Sequence, residues 1–257
     1  MWKLLYDSIV GTSHHGSGAE CQDSCFATPL NHNGETFLIV VCSDGAGSAK
    51  ESKIGSALAC RIIAKKTTEF VKANGLLANV NFDVVSAWVR AVRDALTSSA
   101  VEKELPIREL ACTLLCAIIG QNAAVFVQIG DGAIIILDGG NYRPVFWPQS
   151  GEYQNTTFFV TDSEFESRIQ HELIERPLDE VALFTDGLQM LALNYAEKKA
   201  HAPFFLPMFA SLRSAEDATE LAVPFRQFLD SPLVNARTDD DKTLVLATRL
   251  NHCADAS

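Results

Sequence analysis

Six apolar residues in a row, Phe37 to Cys42, stand between polar neighbours. A run that short and that rich in β-branched residues suits a buried strand rather than a helix. It ends in Asp44-Gly45-Ala46-Gly47, so a carboxylate leaves the sheet where glycines let other groups approach the backbone closely. Upstream, the pattern predicts a strand over 4–10, a loop of small polar residues from Gly11 to Gly18, and a strand over 25–28. The turn signal Asn31-His32-Asn33-Gly34 pairs that strand with 37–42 as a hairpin. Apolar positions at helical spacing (Ile54, Leu58, Ile62; then Val85, Trp88, Val92, Leu96) predict amphipathic helices over 51–72 and 82–103, the second ended by Pro106. These stripes read as core packing.

Strand patterns then crowd together over 111–119, 123–129, 133–137 and 142–147, with further candidates at 156–160 and 171–174. Their short connections imply antiparallel neighbours. A buried strand over 181–185 ends in Asp186-Gly187 before a helical piece at 188–193. The segment 196–212, with Pro203 and Pro207, reads as a flap or insert, 215–229 as a helix bent near Pro224, and 242–250 as a closing strand. Strands and helices come in blocks without a βαβ alternation, so the expected class is α+β, antiparallel sheets covered by helices. No linker composition divides the 257 residues, and 1–257 reads as one domain.

Composition narrows the function. A net charge of −11 disfavours nucleic acid and anionic membrane as partners. No apolar run reaches the length of a membrane span, and the N-terminus carries no cleavable leader pattern. Seven cysteines, mostly within apolar segments, read as reduced thiols of a cytoplasmic protein. Neither Cys21 with Cys25 nor Cys112 with Cys116 has zinc-knuckle spacing.

The chemistry sits at strand boundaries. Asp23 and Asp240-Asp241 precede strands, Asp44 and Asp186 follow them, and Asp131 lies in the tight turn Gly130-Asp131-Gly132. Each alone is a turn by default. Gathered at one sheet edge they would repel strongly, and divalent cations are the ordinary remedy. All-oxygen ligands point to Mg²⁺ or Mn²⁺, and a pair of such ions is a phosphoryl-transfer arrangement.

The order Cys21-Gln22-Asp23-Ser24, Ser43-Asp44-Gly45-Ala46-Gly47-Ser48, Cys112-Thr113-Leu114-Leu115, Gln128-Ile129-Gly130-Asp131-Gly132, Phe184-Thr185-Asp186-Gly187-Leu188 and Asp240-Asp241-Lys242-Thr243-Leu244-Val245-Leu246 resembles the metal-dependent serine/threonine protein phosphatases. This is the PPM family, phosphatase type 2C, and the likeness is to its compact bacterial branch. The resemblance runs from Gly11 to Leu250. It implies two antiparallel sheets packed face to face with helices on both sides, and attack of metal-bound hydroxide on phosphoserine or phosphothreonine. By that resemblance Asp44 bridges two metals, the Gly45 carbonyl joins the second, and Asp186 and Asp240 complete the first. Asp23 holds metal-bound water, and Asp131 serves a third, weaker metal. Thr113 is structural. The implied partners are a phosphorylated protein substrate and a cognate serine/threonine kinase, the chain acting as a monomer in bacterial signalling.

Two departures stand out: Gln22 where many members have Glu, and Gly18 where many have a phosphate-gripping Arg. His14 or His15 could substitute, as donor to phosphate or as general acid. A solvated loop histidine is the competing reading. His32, His171, His201 and His252 carry no partner pattern. The weakened set also leaves open an alternative, a phosphatase-like binding module for a kinase or adaptor.

Overall fold

The computed structural model describes residues 1–14, 18, 20–73, 76–150 and 157–250. In chain order the strands are β1 (Trp2–Ile9), β2 (Ser24–His32), β3 (Glu35–Ser43), β4 (Leu114–Ile119), β5 (Ala124–Ile129) and β6 (Ala133–Asp138). They continue with β7 (Asn141–Pro144), β8 (Gln170–Ile174), β9 (Glu180–Phe184), β10 (Leu193–Asn194), β11 (Lys199–Ala200) and β12 (Lys242–Arg249). The helices are α1 (Ser52–Lys72), α2 (Phe82–Glu102), α3 (Phe165–Arg168), α4 (Gln189–Ala192), α5 (Ala202–Ser214), α6 (Ala222–Leu229) and α7 (Pro232–Asn235).

Two five-stranded antiparallel sheets result, in the orders β1-β12-β9-β6-β7 and β2-β3-β4-β5-β8, beside a short β10-β11 hairpin. The continuous apolar run of β3 follows from burial on both faces. Leu38, Val40 and Cys42 point into the core between the sheets, whereas Phe37, Ile39 and Val41 pack under α1 and α2. On the opposite sheet, Val181 and Leu183 of β9 face the same inner core, and Ala182 and Phe184 face outward against α5 and α6. Helices, two sheets and helices therefore form four layers, as the resemblance implies. β2 is an edge strand, and Pro29 sits opposite Leu38 in the middle of its pairing with β3.

Several expectations shift. The 111–119 strand starts at Leu114, with Cys112 contributing an isolated bridge to Gly45. The strand read over 142–147 is only Asn141–Pro144. Residues 157–160 are not a strand, and 156 lies outside the described residues. β5 and β6, joined by three residues, are not paired: β5 bonds β4 and β8, β6 bonds β7 and β9. Gly130, at φ +106°, lets the chain cross there from one sheet to the other, and a Cβ on it would lie 2.5 Å from Thr113 Cγ2.

The 196–212 segment divides. Its first part closes the β10-β11 hairpin, while the rest is α5, whose Phe204, Phe205, Phe209 and Leu212 are buried in the outer core rather than forming a flap. The helix read over 215–229 reduces to a 3-10 turn and α6; Pro224 falls in the first turn of α6, where a missing N–H breaks nothing. The six cysteines among the described residues are unpaired. No helix there is long and apolar enough to cross a membrane.

Candidate active site

The site lies at one end of the sandwich, where strand ends from both sheets meet. Asp44 follows β3, and its position is fixed through the backbone. Its N–H donates to Thr113 Oγ1 at 2.9 Å, its carbonyl accepts from Thr113 N–H at 2.8 Å, and Ser43 Oγ donates to the Thr113 carbonyl at 2.6 Å. Thr113, 1% exposed, is the clamp on the last residues of that strand. Gly45 is hemmed in, since a Cβ there would lie 2.7 Å from the carbonyl oxygens of both Gln22 and Ser52. Asp186 opens the turn after β9, and Asp131 occupies the crossover between β5 and β6.

One carboxylate oxygen from each of Asp44, Asp131 and Asp186 lies within 4.8 Å of the other two. Asp131 Oδ1 is buried with no hydrogen-bond partner. Oxygen donors this close, one of them unsatisfied, fit a hard divalent cation. Asp131, expected to serve a separate weaker metal, thus stands in the tight trio. Asp240, expected beside Asp44, is an exposed residue of the same cleft. That cleft, about 920 Å³, is also bordered by Trp147, Gln149, Phe159, Gln189, Tyr195 and Asp239.

Asp23 lies behind the cluster, 7% exposed. Its Oδ2 accepts from Thr185 Oγ1 at 2.7 Å and Thr243 Oγ1 at 2.8 Å. Burial pushes its carboxyl up to about 7 against those two hydrogen bonds. Burial, then the neighbouring carboxylates, holds Asp44 and Asp186 well above the usual carboxylate range. Burial also raises Asp131.

A carboxyl raised on folding contributes stability that is complete below its unfolded value, about 3.9, and is lost as pH climbs through the folded value. The metal-free protein therefore weakens from acid pH to pH 8, and a cation that needs the ionised oxygens restores it. Mn²⁺ at a hundred times its Kd is expected to add about 2.7 kcal/mol, roughly 5–10 °C in Tm. The rise is larger at pH 8 than at pH 6, where protons compete. Calorimetry showing no metal-dependent rise at pH 8 would contradict a cation site.

The sequence reading placed Asp241 beside Asp240 before the closing strand but gave it no role. It is 3% exposed and ties three segments together. Oδ1 accepts from Gly11 N–H at 2.7 Å and Oδ2 from Gln22 N–H at 2.5 Å. His14 Nδ1 lies 3.1 Å from Oδ1. His14 therefore sits against Asp241, and it is not among the residues bordering the cleft. His15 lies outside the described residues.

Residues 10–226 match the family described as protein phosphatase 2C. Over 249 residues the chain is 38% identical to serine/threonine-protein phosphatase 3 of Escherichia coli (strain K12), covering 96% of this chain and 98% of that protein. Among solved structures it is similar in fold to the S. agalactiae serine/threonine phosphatase, with a TM-score of 0.66 at 14% identity over 97% of this chain and 100% of that one. A serine/threonine phosphatase from Staphylococcus aureus gives a TM-score of 0.60 at 17% identity, over 97% and 96%. Six motifs in order, a four-layer sandwich and an acidic cluster at its open end agree with these matches: the chain belongs to the protein phosphatase 2C family.

Proposed function

We propose that this chain is a metal-dependent protein serine/threonine phosphatase, releasing phosphate from phosphoserine and phosphothreonine. The observation that carries the reading is the Asp44, Asp131 and Asp186 trio, drawn from both sheets to the wall of one cleft. Asp44, Asp131, Asp186, Asp240 and the Gly45 carbonyl would hold Mn²⁺ or Mg²⁺, two ions with a third, weaker site. Bound there, such ions lower the pKa of water to supply a nucleophile and neutralise phosphate oxygens. Asp23 commits Oδ2 to Thr185 and Thr243, which leaves Oδ1 for a proton of water. His14, set against Asp241 away from the cleft lining, would pass a proton to the departing alkoxide through an intervening water.

The closed inner core supports one domain, and a site made wholly from one chain supports action as a monomer. Unpaired cysteines support the cytoplasm, where a cognate serine/threonine kinase would supply the phosphorylated substrate.

The test is release of phosphate from a phosphothreonine peptide with Mn²⁺ and with chelator. Turnover is expected only with metal. His14→Asn should cost about a hundred-fold on the peptide and much less on p-nitrophenyl phosphate, whose leaving group needs no proton. Undiminished turnover in chelator would defeat the metal mechanism, and no turnover with any divalent ion would point to the binding-module alternative.

A further inference from the structure

Five carboxylates border the cleft, from Asp44, Asp131, Asp186, Asp239 and Asp240, and no Lys, Arg or His does so among the described residues. Two divalent ions offset four of the five negative charges, and the substrate phosphate then brings two more. The loaded cleft is therefore negative, a field that favours a cationic neighbour on the substrate. Asp239 is exposed and held through its backbone, its carbonyl accepting from Ser13 N–H at 2.9 Å. Tyr195 and Trp147 border the same cleft and meet edge-on, with ring centroids 5.2 Å apart. Tyr195 donates to Gln189 Oε1 and Gln189 Nε2 donates to the Asp131 carbonyl, so the β10-β11 hairpin is tied to the turn that carries Asp131. Tyr195 keeps 45% of its surface exposed, an aromatic face open to a guanidinium or ammonium group.

The hairpin also carries cations, which could reverse the sign. Lys199 Nζ, however, lies 3.2 Å from Glu197 Oε2, and neither Lys198 nor Lys199 borders the cleft. His201 lines an apolar groove beside α5 and α6 instead.

We propose that the cleft selects phosphopeptides carrying a basic residue beside the phosphorylated one, the cation being read by Asp239 and the Tyr195–Trp147 pair. This rests on the phosphatase reading. The experiment compares kcat/KM for three phosphothreonine peptides that differ only in an adjacent Arg, Ala or Glu. It is run with Mn²⁺ on the wild type, Asp239→Asn and Tyr195→Ala. The Arg-to-Glu ratio is read within each protein, so a loss of folded or metal-loaded enzyme cancels. The wild-type ratio is expected to be about ten or more, and each substitution should shrink it about three-fold. A wild-type ratio of one or below, with turnover present, overturns the selectivity alone. A ratio unmoved by both substitutions overturns its assignment to these residues. Absence of turnover on every peptide and on p-nitrophenyl phosphate overturns the phosphatase reading and the proposal with it.

Discussion

Asp44→Asn is expected to lower kcat/KM on a phosphothreonine peptide by about a thousand-fold or more, the loss of several kcal/mol of transition-state charge stabilisation. The substitution keeps the shape and removes the charge. The main chain at 44 stays bonded to Thr113 on both sides, so the strand end should not move. In the metal-free protein the same change should raise stability, because burial and the carboxylates of Asp23, Asp186, Asp131 and Asp240 oppose ionisation of Asp44. A gain of about 1–2 kcal/mol, a few degrees in Tm, is the counterpart of the lost activity. An inactive but thermally stronger variant, no longer stabilised by Mn²⁺, would place Asp44 at the cation. Wild-type turnover would remove it from the mechanism.

Gly187→Ala carries the second large effect, on folding. A Cβ at 187 would lie 2.0 Å from the Asp241 carbonyl oxygen, and that obstacle is backbone at the start of β12. Either the turn after β9 or the entry to β12 must give way, and with it the placement of Asp186. The cost is expected to be about 3 kcal/mol, lowering Tm by about 6–12 °C. Gly47→Ala is the control, since its nearest obstacle is the end of the Gln22 side chain at 3.8 Å; its Tm should stay within about 2 °C of the wild type. Equal melting of all three proteins would show that the close approach at 187 can be relieved without cost.

The strands that carry the site were legible because burial on both faces leaves continuous apolar runs, as in Phe37–Cys42. The Asp-Gly pairs at their ends were legible because glycine marks where two backbones nearly touch, as Gly45 and Gly187 do. Which carboxylates converge was less legible. Asp131 reaches the trio because the chain changes sheets at Gly130, and a three-residue connection reads locally as a hairpin. Asp239, Asp240 and Asp241 form one acidic run, yet 239 and 240 are exposed while 241 is buried against the backbone of Gly11 and Gln22. Partners more than two hundred positions away decide that difference, and local pattern holds no trace of them. Likewise, prolines in 196–212 suggested an irregular insert, whereas Pro203 sits in the first turn of α5 and its phenylalanines face the sheet.

The edge strand β2 has a bearing on how the protein behaves in a crowded solution. An open strand edge offers unmet donors and acceptors to any extended segment, including another copy of the same chain. Pro29, in the middle of β2, supplies no donor. On the other sheet, β7 is only four residues long, and β1 is shielded by α6, whose Arg226 lies 3.1 Å from Asp7. Three of the four sheet edges are thus blunted by three different means. A protein that acts on other proteins would otherwise invite their unfolded segments, and its own unfolded copies, to add as strands. Here those three edges resist filament growth while the cleft stays open.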